Sequence, residues 1–120
     1  MPFDWREYHA VAQYLQTQSH RTFSQEAAHR CAVSRAYYAA FCHTRNYAKD
    51  HYGFLPSNQH DEHRLVREYF QRRGDIAIAR DLDLLRQWRN QCDYIDNISN
   101  LSLMVIGAIA GAQRIFDALR

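Results

Sequence analysis

Apolar positions along this chain recur every three or four residues, and the longest unbroken pattern runs from Ser24 to Tyr52 without a Pro or Gly. Ala27, Ala28, Ala32, Ala36, Ala39, Ala40 and Ala48 fill it with the strongest helix former, which predicts one helix of roughly 39 Å at about 1.5 Å per residue. Ser24 is placed to cap its first amides, Glu26 lies in its first turn, and Gly53 follows where a left-handed closing residue is wanted. On a helical wheel Ala28, Cys31, Ala32, Arg35, Ala39 and Cys42 share a small-residue stripe, while Val33, Ala36, Tyr37, Ala40 and Phe41 widen the apolar surface beyond one face. Such a helix is central, with neighbours on several sides. Arg35 breaks the stripe with a guanidinium, which requires an acceptor wherever it is buried.

The same periodicity predicts four further helices. Asp4 is set to cap a first helix carrying Trp5, Tyr8, Val11, Ala12 and Leu15, and the polar stretch Gln16 to Phe23 connects it to the long one. Gly53 to Ser57 is a hinge, after which Ser57 or Asn58 caps a third helix with Leu65, Val66, Tyr69 and Phe70 on one face. Gly74 ends it, and Asp75 caps a fourth, Ile76 to about Tyr94, whose inward stripe is Ile78, Leu82, Leu85, Arg89 and Cys92 with Trp88 beside it. Asn97 to Asn100 is a break, and Leu101 to about Ala118 forms the last helix. Nowhere does polarity alternate with period two between turn signals. The expected fold is therefore all-α, an antiparallel up-and-down bundle of four to five helices in one domain over residues 1–120.

Composition changes this picture little: 47% hydrophobic residues suffice for one core, and a net charge of +2 does not demand a nucleic-acid coat or a membrane-surface patch. The kind of charge is more informative, since fourteen of the fifteen basic residues are Arg, which suits planar contacts with carboxylates or phosphates. Cys31, Cys42 and Cys92 form no C-x-x-C and cannot all pair, so buried thiols in a reducing compartment, the cytoplasm, are expected. No basic-then-apolar leader opens the chain, and the most apolar run, Leu101 to Ala112, is shorter than the roughly 20 residues a bilayer requires, so no membrane association is expected.

Seven histidines invite a search for metal or acid–base chemistry. His60 and His63 stand at i, i+3, but no H-E-x-x-H or Cys/His partner completes a site, so the pair reads as a solvated helix start, with His63 facing the partly buried side and the remaining histidines on the surface. No metal and no cofactor is expected. Arg89 and Asp93 lie at i, i+4 on one helix face, and Asp93 is the natural acceptor for Arg35, alone or shared with Arg89, against the plainer reading of a surface pair. Gly107 to Gly111 is a small-xxx-small pattern suited to close packing on the Ala-rich long helix, in preference to a dimer seam. The glycines at 53, 74, 107 and 111 fit neither a P-loop nor a dinucleotide fingerprint, and no Ser/His/Asp signature occurs.

Ser34-Arg35-Ala36-Tyr37-Tyr38-Ala39-Ala40-Phe41, then His60 to Phe70, then Arg89-Asn90-Gln91-Cys92-Asp93-Tyr94 resembles a HEPN domain, in the branch with S-R-A-Y-Y-A-x-F and R-x-x-A-D-Y motifs, over about Ser24 to Asp96. Cys92 stands where that branch usually has Ala. The resemblance implies a helical bundle that commonly forms homodimers. Its roles include metal-independent RNase toxins, accessory partners of minimal nucleotidyltransferases in toxin–antitoxin or defence-type systems, and non-catalytic RNA- or nucleotide-binding modules. The RNase members carry R-x(4 to 6)-H late in the bundle. Arg89 and Asn90 begin that motif here, but Tyr94, Ile95 and Asp96 occupy the positions of the His. A second match, Arg45-Asn46 with His51, ends the long helix, and six steps of about 100° leave its ends about 120° apart. The expectation is a non-catalytic module binding RNA or nucleotide, or acting with a nucleotidyltransferase, with Arg35, His63, Arg89, Asn90, Asp93 and Tyr94 as its polar core. The alternative is an endoribonuclease using Arg45, Asn46 and His51.

Overall fold

Helix α2, Gln25–Tyr52, runs through the molecule as its axis, and α1 (Arg6–Thr17), α3 (Glu62–Arg72), α4 (Ile76–Tyr94) and α5 (Leu101–Ala118) pack around it and each other. The computed structural model describes residues 2–18, 22–57 and 60–120, all helical or irregular, in a body of 45 × 30 × 25 Å. Ser24 Oγ accepts the Ala27 amide at 3.1 Å, as its position predicted. At the other end Gly53 adopts φ 74°, open to Gly without a Cβ penalty, and the Phe54 amide reaches back to the Ala48 carbonyl at 3.1 Å. Between these ends Ala28, Ala32, Ala36, Ala39, Ala40 and Ala48 are buried, so neighbouring helices approach α2 closely at those positions, while Val33, Tyr37 and Phe41 fill the core beside them.

Contacts along the helices fix the up-and-down order. Arg30 near the start of α2 binds carbonyls at the end of α4, while Asp81 early in α4 binds Arg114 late in α5. His43 late in α2 binds the Leu119 carbonyl beyond α5 at 2.7 Å. Helices α2 and α5 thus run one way and α4 the other. Short α3 lies on α4, tied to α2 through the Tyr69 hydroxyl, which donates to the Tyr52 carbonyl at 3.2 Å.

Several details differ from the sequence reading. Asp4 does bind the Arg6 amide, at 3.1 Å, but α1 opens at Arg6 behind Trp5. In α1 Val11 is exposed and His9 is buried, because His9 Nε2 donates to the Ile109 carbonyl at 3.1 Å and so secures α5. Helix α3 starts at Glu62 behind Asp61, four residues past Ser57, and Asn58 lies outside the described residues. Asp75 and Asn100 hold the N-cap positions of α4 and α5 without a side-chain cap bond. Cys42 and Cys92 are buried as expected, whereas Cys31 is exposed. The two glycines of α5 receive α4 rather than α2: a Cβ at Gly107 would meet Trp88 at 2.8 Å, and one at Gly111 would meet Leu85 at 3.7 Å. Among the described residues α5 alone is long and apolar enough to cross a membrane, at mean hydropathy 1.3, and Met104, Val105, Ala108, Ala112 and Ile115 bury one side of it in the bundle.

Candidate functional site

Spacing places four arginines together. Arg64 and Arg67 on α3, and Arg86 and Arg89 on α4, are each an i, i+3 pair that presents on one helix face. The two faces meet across a cleft of about 330 Å³, which His60, Asp61, His63 and Asn90 complete. Arg64 and Arg67 also border a neighbouring cleft of about 470 Å³ toward Arg80, so a basic groove follows the α3–α4 seam.

The acids around this groove do not saturate it. Asp83 serves two guanidiniums, Arg86 at 3.0 Å and Arg67 at 3.6 Å. Asp93 approaches Arg89 only to 3.7 Å. Arg64 is the well-bonded member, to Asp61 at 3.2 Å and Glu68 at 3.1 Å. Among the described residues neither Arg67 nor Arg89 makes a hydrogen bond, and Arg67 Nη1, Arg86 Nε and Arg89 Nε are shut from solvent with no acceptor. Buried donors are normally satisfied, so three in one cleft form a costly cluster. Burial first, and then the neighbouring Arg86, push the Arg67 guanidinium below its usual range.

Beneath the arginines lies an aromatic stack. The His63 ring is parallel to Phe41 at 4.0 Å between centroids and to Tyr37 at 5.6 Å. Arg89 lies over Tyr37 at 5.4 Å and Tyr38 at 5.5 Å, and Arg45 over Phe41 at 5.8 Å. His63 Nδ1 is hydrogen-bonded to the Tyr37 hydroxyl. Burial raises the Tyr37 phenol well above its ordinary value, so it keeps its proton, and at 1% exposure that proton has no other acceptor. Burial, then Arg89, Arg67, Arg45 and Arg86, lower His63 below the usual imidazole range, so it is neutral at pH 7. The hydrogen-bond network therefore assigns Tyr37 as donor and Nδ1 as acceptor, which leaves the imidazole proton on Nε2. What His63 offers a ligand is a hydrogen-bond donor. Its basic lone pair is already in use.

Of the residues singled out in the sequence, the structure joins His63, Arg89 and Asn90 in this groove, while Arg45 lies outside its lining, over Phe41 at 5.8 Å. Arg35 does not pair with Asp93: its guanidinium lies over Tyr8 at 4.9 Å and Tyr38 at 5.5 Å and donates to Ser34 Oγ at 3.4 Å. Aromatic faces serve the half-buried cation where an acid was expected, although Arg35 and Asp93 border one cleft of about 550 Å³. Tyr94 is 74% exposed and belongs to no polar core. Because α2 stays helical through Tyr52, His51 stacks on Tyr47 at 4.1 Å, on a different side from Arg45. Asn46 is split between the two, accepting from Arg45 Nε at 3.1 Å and lining a cleft with His51. Nor are the other histidines all superficial, since His9 and His43 hold α5.

Arg64, Arg67, Arg86 and Asp61 were not singled out in the sequence. The signal that finds them is the pair of i, i+3 arginine doublets, and it has meaning only once α3 is known to lie along α4. Among the described residues no three His, Cys, Asp or Glu side chains are grouped to hold a metal ion. Comparison with family models, with curated proteins and with solved structures returns no match.

Proposed function

We propose that this chain is a HEPN-like helical module that binds RNA or a nucleotide through phosphate held in the α3–α4 groove, and that it does not cleave RNA. The observation that carries the reading is the set of solvent-shut, acceptorless nitrogens on Arg67, Arg86 and Arg89. An anion entering the cleft would supply the missing acceptors once these side chains turn toward it, and guanidinium is the side chain best matched to phosphate oxygens. The His63 tautomer supports the reading without cleavage, because a general base must turn a free lone pair toward the 2′-hydroxyl and that of His63 is turned to Tyr37. The sequence resemblance supports an accessory role beside a nucleotidyltransferase in a toxin–antitoxin or defence-type system, and a homodimer, which light scattering decides against the 14.2 kDa chain mass.

One observation favours the endoribonuclease alternative: His63 and Arg89 share a cleft, so an imidazole and a guanidinium meet there although no His follows His63 in sequence. The experiment that separates the readings is fluorescence anisotropy with a labelled single-stranded RNA in EDTA, followed by a denaturing gel. Saturable binding is expected, weakened at least tenfold in Arg67→Gln/Arg89→Gln, with the RNA intact. Cleavage that disappears in His63→Ala would establish the endoribonuclease instead, and no binding at low salt would remove the proposal.

A further inference from the structure

We infer that the groove, if it binds phosphate as proposed above, is built for the terminal phosphate of a ribonucleotide together with a hydroxyl of the same ligand, rather than for an internal phosphodiester. Two observations lead there. The first is charge. Four guanidiniums and one carboxylate, Asp61, line the cleft itself, while Glu68, Asp83 and Asp93 reach the same arginines from its margins at 3.1, 3.0 and 3.7 Å. A phosphodiester brings one negative charge. A terminal phosphate brings nearly two at neutral pH and has three free oxygens instead of two, so it meets more of the unpaired donors on Arg67, Arg86 and Arg89 and the Nε2 proton of His63. The second is the unpaired acceptor. Asp61 Oδ1 is shut from solvent without a donor, while Oδ2 takes Arg64 at 3.2 Å. A fully ionised phosphate has no proton to donate to a carboxylate oxygen. A ribose hydroxyl does, and both functions belong to one nucleotide.

This terminal phosphate has two sources, a free nucleotide or the 5′ end of an RNA, and binding assays separate them. A tetraribonucleotide with a 5′-phosphate, the same oligomer with a 5′-hydroxyl, a nucleoside 5′-monophosphate and its 2′,3′-dideoxy form are titrated by calorimetry. The 5′-phosphorylated oligomer should bind at least tenfold tighter than the 5′-hydroxyl form. Comparable affinity for the free monophosphate assigns the ligand as a nucleotide, and a marked preference for the phosphorylated oligomer assigns it as an RNA end. The monophosphate should bind several-fold tighter than its dideoxy form, and that ratio should fall to about one in Asp61→Ala.

If phosphorylated and unphosphorylated oligomers bind equally, and both weaken in Arg89→Gln, the terminal-phosphate inference is overturned while the groove reading stands. If none of the four ligands binds, both fall. Equal affinity for ribo and dideoxy forms in the wild-type protein overturns the hydroxyl contact with Asp61.

Discussion

His63 couples the groove to the stability of the bundle. Its imidazole is held neutral by burial and by Arg89, Arg67, Arg45 and Arg86, approached from α4, α3 and α2, so its folded pKa lies below the ordinary 6.5. In the unfolded chain the ring takes a proton at about the ordinary value, and wherever the unfolded state binds more protons stability rises with pH. The contribution is thus full above pH 6.5 and is lost as pH falls from there toward the lowered folded value. Denaturation series at pH 7.5 and 5.5 should show wild-type stability dropping between them, with a smaller drop in His63→Gln. An equal drop in both would show that His63 does not sense the arginines. Arg35 teaches the reverse lesson about reading single residues. Its place in the small-residue stripe was legible, but its partners were not, because Tyr8 and Tyr38 satisfy a guanidinium by their faces and carry no charge to search for.

At the scale of elements, the ends of α2 and the order of all five helices could be read from periodicity and capping residues, since these are local, whereas α3 begins at Glu62, later than Ser57 or Asn58 predicted. What holds the end of α4 could not be read that way. Arg30 donates to the carbonyls of Cys92 at 3.0 Å, Ile95 at 2.6 Å and Asp96 at 2.6 Å, so a guanidinium from α2 caps the negative end of α4 across more than sixty residues of sequence. Nothing near Tyr94 announces that. Charge-assisted hydrogen bonds to otherwise unpaired carbonyls are worth roughly 1.5–3 kcal/mol, and Arg30→Ala should lower stability by about that amount. Amide exchange in the last turn of α4, including Ile95, should rise more than that of α2. A loss under about 0.5 kcal/mol, within the range of ordinary surface substitutions, would show that solvent replaces the Arg30 cap without cost. The glycines of α5 were legible as a close-approach signal, but not the identity of the visitor, because the large Trp88 ring fills the space that Ala-on-Gly packing would leave.

For the whole molecule, a net charge of +2 hides its arrangement. Acids and arginines nearly cancel in total, yet folding gathers Arg64, Arg67, Arg86 and Arg89 along one seam and pairs them unevenly, with two carboxylates on Arg64, Asp83 shared and Asp93 standing off. That imbalance depends on how α3 lies against α4, two helices whose periodicity specifies each apolar face but not which polar faces adjoin. The bundle was therefore legible and the groove was not. The central claim is that these guanidiniums await an anion. The most direct test is an arginine Nε–Hε correlation spectrum of the labelled protein, titrated with a nucleoside 5′-monophosphate at constant ionic strength. Saturable shifts confined to Arg64, Arg67, Arg86 and Arg89, with the remote Arg6 and Arg114 unmoved, are the result this account predicts. Groove signals that stay fixed, or that move only in step with every other arginine, would contradict it.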